Sequence, residues 1–538
     1  MQLSDYSFET LPFSDLFKTY ITNFDELSDF YETNPFDSKA IVRKAEEFDF
    51  GGDRSKASAI LTAFNAAFNI DEAAHNNIER LANEDSLVIV TGQQLGIYGG
   101  PLYTILKTVT TIHIAKQLEQ KLDRPVIPIF WLADEDHDYE EIRSISVLDR
   151  DKVQSYALPP KNDKLPTVSE IEIPEAIDQM KAELKESLYD TDFSEELWDL
   201  LDNSFTASNT FSEAFGQWIS NLFSKYGLVL AGSKNIEVKE ATNKFLKKSI
   251  TKASDIRNQL DVQSQRIGKE FHRQVTIYDS NLFYLNGDSG RTKIARNGDG
   301  WKTDAGHEWE TDQLVEEIEE NPDHFSPNVF LRPILQDALL PTLGYVAGPG
   351  ETAYYGQMKK MYACFNLEMP VIFPRLSATI IEPAIDRIIN ELPFDFHEYG
   401  DRIEDLESAY VDRTEQHDIE AIFDEWKKDV EKLAEKKTKE VANIDPTLEG
   451  ASGKAKATYL NELNKLKGKV YRAVKKQDQT QLQRIKRIKA HTFPGDGLQE
   501  RVIASIFYMN KYGVDIWDEL LNNLSEEEQF DHHKLIYM

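Results

Sequence analysis

Six acidic side chains and one histidine stand at the end of an apolar run. PVIPIFWLADEDHDYEEI occupies residues 125–142, and Asp134, Glu135, Asp136, Asp138, Glu140 and Glu141 surround His137. Asp134, Asp136 and His137 are of the types that orient an amine, accept its proton or hold Mg²⁺ through carboxylate oxygens. The competing use is a helix N-terminus, where carboxylates stabilise exposed N–H groups, and some of the six acids serve only that. Position favours chemistry for at least two of them. TGQQ (91–94) follows a second apolar run, SLVIV. There Gly92 allows a tight turn, while Gln93 and Gln94 offer donors and acceptors to a polar ligand.

Three further stretches carry weaker signals. Gly348-Pro-Gly350-x-x-Ala353 is a loose form of the dinucleotide fingerprint, and the next strand ends in Arg375 rather than an acid. A Gly-rich turn feeding a helix can present N–H groups to a carboxylate or phosphate, or simply pack strand against helix. ASGKAKAT (451–458) has half of a phosphate loop, without its first glycine or a preceding strand, and is rejected. FPGDGLQER (493–501) reads locally as a turn and helix cap, with an anion contact as the alternative. G-x-S-x-G, H-E-x-x-H and C-x-x-C are absent, as are the H-x-G-H and K-M-S-K-S signatures of class I aminoacyl-tRNA synthetases. His324, His417, His491, His532 and His533 are scattered and read as surface or packing. Cys364 reads as a small buried hydrophobe on a helix.

The elements that must position these residues follow from periodicity. SLVIV, a helix over 103–122 and PVIPIFWLA form a βαβ unit, which implies a parallel sheet with a right-handed crossover. Both strands are continuously apolar, as strands covered on two faces are. LVLA (228–231) adds a strand, and 329–380 returns to strand–helix–strand character. Residues 1–85, 174–226 and 236–270 read as helical, and 275–301 as a small antiparallel insert with Asn-Gly and Ser-Gly turns. In an open α/β sheet ligands bind beyond the carboxyl ends of the strands, so TGQQ and ADEDHD should share one crevice. Farther on, Ile419, Phe423, Trp426, Val430 and Leu433 form an a/d seam, repeated at Tyr459, Leu463, Leu466 and Val470. With a turn at 445–453 this is an antiparallel helical hairpin of roughly 40 Å. Residues 401–450 hold 8 basic and 16 acidic residues and 451–490 hold 12 and 2, so the legs attract.

Composition excludes several classes. The net charge of −32 argues against a nucleic-acid binder or a protein held to an anionic membrane. One cysteine rules out an intramolecular disulfide and suggests a reducing compartment. The first residues lack a signal-peptide pattern, and no apolar run approaches a membrane span. The expectation is a cytoplasmic protein.

VTGQQLGIYGGPLYTILK (90–107), PVIPIFWLADEDHDYEEI (125–142), SPNVFLRPILQDALLPTLGYVAGPGETAYYGQMK (326–359), MPVIFPRLSATIIEP (369–383) and FPGDGLQERV (493–502) closely resemble, in the same order, the BshC family, cysteine ligases of bacillithiol biosynthesis. The resemblance implies a Rossmann-like core with connective inserts; joined to the element pattern, this gives a parallel-sheet α/β core over 1–400, with a helical insert near 150–270 and a small antiparallel β insert near 271–311. It further implies an antiparallel coiled coil over 401–490 that mediates homodimerisation, and a return to the core over 491–538. The implied reaction joins the carboxyl of L-cysteine to the amine of glucosaminyl-malate. A nucleotide pocket is implied near the junction of core and coiled coil; Gly495, Gly497, Gln499 and Arg501 are the residues expected there. No set of residues is named as a metal site.

Amide formation from a free carboxylate needs activation, as an acyl-adenylate or acyl-phosphate, which makes ATP or another nucleotide, with Mg²⁺, the expected cofactor. Asp136 or His137 is the expected base, and Asp134 the ligand of sugar hydroxyls or a metal. Arg332 and Arg375 offer forked donors to the malate carboxylates, with Lys107 a further anion contact. Thr91, Gly92, Gln93, Gln94, Tyr103, Trp131, Gln336, Asp337, Glu351 and Tyr354 complete the expected substrate set. The rival readings are an NADP- or nucleotide-binding oxidoreductase using the GPGETA turn, and a non-catalytic coiled-coil scaffold.

Overall fold

The computed structural model describes residues 1–161, 167–286, 290–414 and 418–538. It divides into two compact units, Met1–Ile380 with Gln499–Ile536, and Ile381–Leu498 with Tyr537–Met538. Among the described residues no helix is long and apolar enough to cross a membrane.

The first unit is built on five parallel strands: β1 (Leu87–Gln93), β2 (Val126–Leu132), β3 (Val229–Gly232), β4 (Thr342–Ala347) and β5 (Val371–Pro374). Their spatial order is β5-β4-β1-β2-β3. Helix α1 (Tyr103–Leu122) makes the crossover from β1 to β2. β1 pairs with β2 from Leu87↔Val126 to Gln93↔Leu132, so the two polar tips emerge side by side. Every residue of β2 and β4 is buried, which is why both read as unbroken apolar runs. The chain runs outward through β2 and β3, then returns to the other flank of β1 with β4. Strand order therefore reverses between β1 and β4, the position where such sheets open a ligand crevice. Helix α2 (Leu331–Leu339) leads into β4, and α3 (Pro349–Gly356) leaves it.

Several sequence expectations are refined. The N-terminal region begins with a strand, Gln2–Tyr6, ahead of its helices. A two-stranded hairpin, Ser144–Asp149 with Lys152–Ala157, occupies the start of the insert read as helical. The long helix expected over 236–270 is two, Ile236–Thr251 and Ala253–Ile267, broken at Lys252. The small β insert is a meander that gains a fifth strand, Phe325–Pro327, paired with Leu282–Asn286. Residues 287–289, part of its expected turns, lie outside the described residues, as does His417.

The second unit carries the helical hairpin, α4 (Ile419–Ile444) and α5 (Glu449–Gln477). The expected nine-residue turn is tighter, because helix resumes at Glu449 straight after a single turn, Pro446–Leu448. The seam is sealed at its base, where Ile419 and Phe423 pack with Val411, Val470 and Val474. Towards the tip it is open: Trp426 is 40% exposed, Leu433 59% and Ile444 84%. The opposite charge of the legs is realised in pairs from Lys456 to Glu431 and Glu435, and from Lys467 to Glu420.

Candidate active site

A cavity of about 600 Å³ opens at the reversal point of the first unit, beyond the ends of β1, β2 and β4. Of the residues singled out in the sequence, Gly92, Gln93, Gln94, Tyr103, Lys107, Asp136, Arg332, Glu351, Tyr354, Arg375 and Arg501 line it. The two strand tips are tied directly: Gln94 Nε2 donates to Asp136 Oδ2. Among the described residues Gln94 Oε1 and Arg291 Nε are buried with no protein partner, open to a ligand's donor and acceptor respectively.

Gly92 is needed for close approach rather than for a turn. It lies within β1, and a Cβ there would meet the Trp131 carbonyl at 2.8 Å and Arg332 Nη1 at 3.5 Å. Lys107, buried on α1, spends its three donors inside the protein. It reaches Gly92 O at 2.8 Å and Gln93 Oε1 at 3.0 Å, and pairs with Glu351 at 2.5 Å. Burial lowers the Lys107 ammonium against the opposing pull of Glu351. Its effect is to fix Gln93, whose Nε2 then donates to Tyr103 Oη at 3.2 Å.

Glu351 caps its own helix. Its Oε2 accepts from Gly348 N at 2.7 Å, and its Oε1 from Tyr345 Oη at 2.8 Å. A carboxylate thus occupies the N-terminus of α3, the place where a dinucleotide's pyrophosphate would sit. The GPGETA turn is therefore closed to the oxidoreductase use.

Burial alone would raise the Asp136 carboxyl. Hydrogen bonds from His137 and Gln94, with Arg291 nearby, outweigh it and hold the group well below the usual carboxylate range. Glu141 reaches the same cavity and is shifted the other way, upward, by burial and by the charges of Asp136 and Asp138.

Most other sequence candidates lie behind the wall, although Glu135 also reaches the cavity. Asp134 is 1% exposed and faces β3, accepting from Ser233 N at 3.0 Å and Lys234 N at 3.2 Å. Burial, with Glu135 beside it, pushes its carboxyl up to about 7. Gly232 leaves room for it, since a Cβ there would collide with the carboxylate. Glu135 pairs with Lys239. The His137 ring is half exposed, with Nδ1 at 3.1 Å from Arg291 Nη1. Thr91 bonds Val346 O, and Trp131 is core. Gln336 donates to Asp337, which also accepts from Tyr362 and is pushed up to about 6 by burial.

Arg375 also turns inward. Its fork grips Glu500, with Nη1 to Oε2 at 3.0 Å and Nη2 to Oε1 at 2.6 Å. Arg332 and Arg501 have no carboxylate in ion-pair distance among the described residues, and Arg291, on the small β insert, reaches Asp136 only at 4.0 Å. Arg291, Phe283 and the segment around Gln274 were missed in the sequence, because a β meander gives no sign that it folds back across strand ends. The histidines read as packing do pair locally, as His324 with Glu317 and His491 with Glu382.

Nearly the whole chain matches two family descriptions: Bacillithiol biosynthesis BshC, N-terminal Rossmann-like domain, over residues 1–376, and Bacillithiol biosynthesis BshC, C-terminal coiled-coil domain, over 378–538. The chain belongs to the BshC family. Similar proteins bearing the name "Putative cysteine ligase BshC" include one from Desulforamulus reducens, 32% identical over 96% of this chain and 96% of its own. One from Salinibacter ruber is 31% identical over 95% and 94%, and one from Geobacillus kaustophilus 31% over 90% and 91%.

The residues expected to hold a nucleotide are divided between the two units. Gly495 and Gly497 belong to the second unit. Gln499, in the first, spends its amide on the backbone of Ile380, giving to O at 2.9 Å and accepting from N at 2.8 Å. Only Arg501 faces the cavity. Among the described residues no three His, Cys, Asp or Glu side chains group as a metal site.

Proposed function

We propose that this BshC-family chain is a ligase joining the carboxyl of L-cysteine to the free amine of glucosaminyl-malate, the amide-forming step of bacillithiol biosynthesis. The observation that carries the reading is the cavity at the β1/β4 reversal, where a chain of net charge −32 presents Arg291 and Arg332 beside the Gln94–Asp136 pair. Guanidinium groups suit the two carboxylates of malate, and the volume is that of a small-molecule site. The Asp136 carboxylate, kept ionised, suits an amine.

The division of labour follows. Arg332 and Arg291 hold malate, and Gln93 and Gln94 meet the sugar hydroxyls. Asp136 orients the amine nitrogen. As the C–N bond forms the nitrogen acidifies, its proton passes to Asp136, and the carboxyl's leaving group departs with its electron pair. Activation of that carboxyl is assigned on chemical grounds to a nucleotide such as ATP with Mg²⁺, and no residue of the chain is assigned to hold it. Arg375 and Asp134 support the walls instead of touching substrate. A cytoplasmic site and a homodimer through the open seam of α4 and α5 complete the proposal.

The test is to incubate the full chain with L-cysteine, glucosaminyl-malate, ATP and Mg²⁺ and to follow the amide by mass spectrometry. Product lost in D136N and R332A supports the reading. Product unchanged in both removes this cavity from the reaction.

A further inference from the structure

Behind the main cavity lies a smaller one of about 260 Å³. The two share a wall made by Gln93, Gln94, Tyr103, Glu141 and Arg501. The rest of the small cavity is lined by Gly96, Gly100, Pro101 and Thr104, by the start of the hairpin strand at Ser144–Ser146, and by Val502. The loop from Gly96 to Pro101 is unusual. Tyr98, Gly99 and Gly100 have φ of 49°, 84° and 67°, three left-handed residues in a row. A buried aromatic residue in that region is held only where its surroundings over-determine it. The surroundings do so here, since Tyr98 packs edge-on against Phe205 and a Cβ at Gly96 would stand 2.9 Å from Gly100 Cα. The walls are laced together by Leu102 N to Ile503 O at 2.9 Å and Ala504 N to Ser146 O at 2.8 Å.

Two opposite charges face this space uncommitted. Among the described residues neither the Glu141 carboxylate nor the Arg501 guanidinium has an ion-pair partner, and Arg501 lies over the Tyr103 ring at 6.0 Å. A carboxylate and a guanidinium on one small cavity are complementary to the ammonium and carboxylate of an α-amino acid. The volume falls below the roughly 300–1,000 Å³ of sites for larger ligands, so it suits a small amino acid and is too tight for a sugar-malate conjugate.

We propose that the smaller cavity is the subsite for L-cysteine, with Glu141 taking the α-ammonium and Arg501 the α-carboxylate. The assignment rests on the ligase reading and sharpens it. Because Arg501 belongs to both cavities, the carboxyl it holds is presented through the shared wall to the amine beside Asp136. The same geometry gives Arg501 a use that the spent amide of Gln499 denies it in a nucleotide site.

Calorimetry of the full chain with L-cysteine under reducing conditions, alone and with glucosaminyl-malate present, tests this. E141Q and R501Q alter exposed side chains, and each should weaken L-cysteine binding at least about tenfold, the value of one charged hydrogen bond. S144L should plug the small cavity and abolish L-cysteine binding, while glucosaminyl-malate binds within about twofold of wild type. S144V, a strand-compatible residue, replaces it should S144L fail to fold. L-Cysteine methyl ester, lacking the carboxylate, should bind R501Q and wild type alike. Wild-type affinity for L-cysteine in E141Q and R501Q, or in the plugged variant, overturns the subsite while leaving the ligase reading intact. Absence of L-cysteine binding to the wild type in both conditions also overturns it. Failure of both substrates to bind and of any amide to form would instead defeat the ligase reading itself.

Discussion

Arg375 and Glu500 clasp each other through two parallel hydrogen bonds at 3% and 0% side-chain exposure, joining the end of β5 to the short helix Gln499–Val502. Glu500 also accepts from Ala378 N at 2.8 Å and Ser377 Oγ at 3.0 Å, so its carboxylate is fully engaged. Burial would raise the Glu500 carboxyl, but Arg375 overrides that and lowers it. Removing one member of such a pair strands a buried charge. R375A should therefore lose about 3–5 kcal/mol of stability in chemical denaturation. A loss under about 1 kcal/mol would return Arg375 to the ligand-binding set.

Arg332 should behave differently. Its guanidinium faces the cavity and, among the described residues, has no carboxylate partner. R332A should weaken glucosaminyl-malate binding about tenfold to a hundredfold by calorimetry, with L-cysteine affinity unchanged. Equal weakening of both substrates would indicate general damage to the cavity.

Asp136 and His137 were alternatives for the base, and the geometry separates them. Only Asp136 lines the cavity, and the imidazole is half exposed beside Arg291. D136N should cut kcat by about 10²–10⁴ with a small change in KM, while H137A should cost less than about tenfold. The opposite ranking in product-formation assays would make His137 the acceptor.

His533 supplies a pH signature. Its ring is fully buried, with Ser377 Oγ at 2.8 Å from Nδ1 and Thr379 Oγ1 at 2.9 Å from Nε2. Burial pushes the imidazole down to about 4 from an ordinary 6.5. Between those values the unfolded chain binds a proton that the folded chain refuses, so stability is held above pH 6.5 and lost as pH falls towards 4. H533Q should flatten that part of the profile of melting temperature against pH. An unchanged slope would mean that His533 does not titrate as described.

The open seam of the hairpin carries the last prediction. Sedimentation of the wild-type chain should report a dimer, and L433E with I444E should shift it to a monomer while the catalytic cavity keeps its substrate affinity. A monomer in the wild type would leave those side chains without the assigned partner.

Much of this was legible because buried parallel strands announce themselves as unbroken apolar runs. SLVIV and PVIPIFWLA fixed β1, α1 and β2, and the switch-point rule then placed Gln94 beside Asp136. What stayed hidden depended on partners far along the chain. Nothing near Arg375 shows that Glu500 will occupy its fork, and nothing near Asp134 shows that Ser233 and Lys234 will turn it away from solvent. Lys107 looked like an anion contact because its three acceptors become visible only once α1 is laid across β1. The hairpin's heptads read correctly as helix, but the pattern does not say how far two legs stay zipped.

Arg375 precedes its counter-ion by 125 residues. At a translation rate of about 5–20 residues per second, the nascent chain carries an unneutralised guanidinium for roughly 6–25 s before the ribosome delivers Glu500. Arg375 and Arg501 both border the cavity, so a wall begun before the hairpin is completed only by residues made after it.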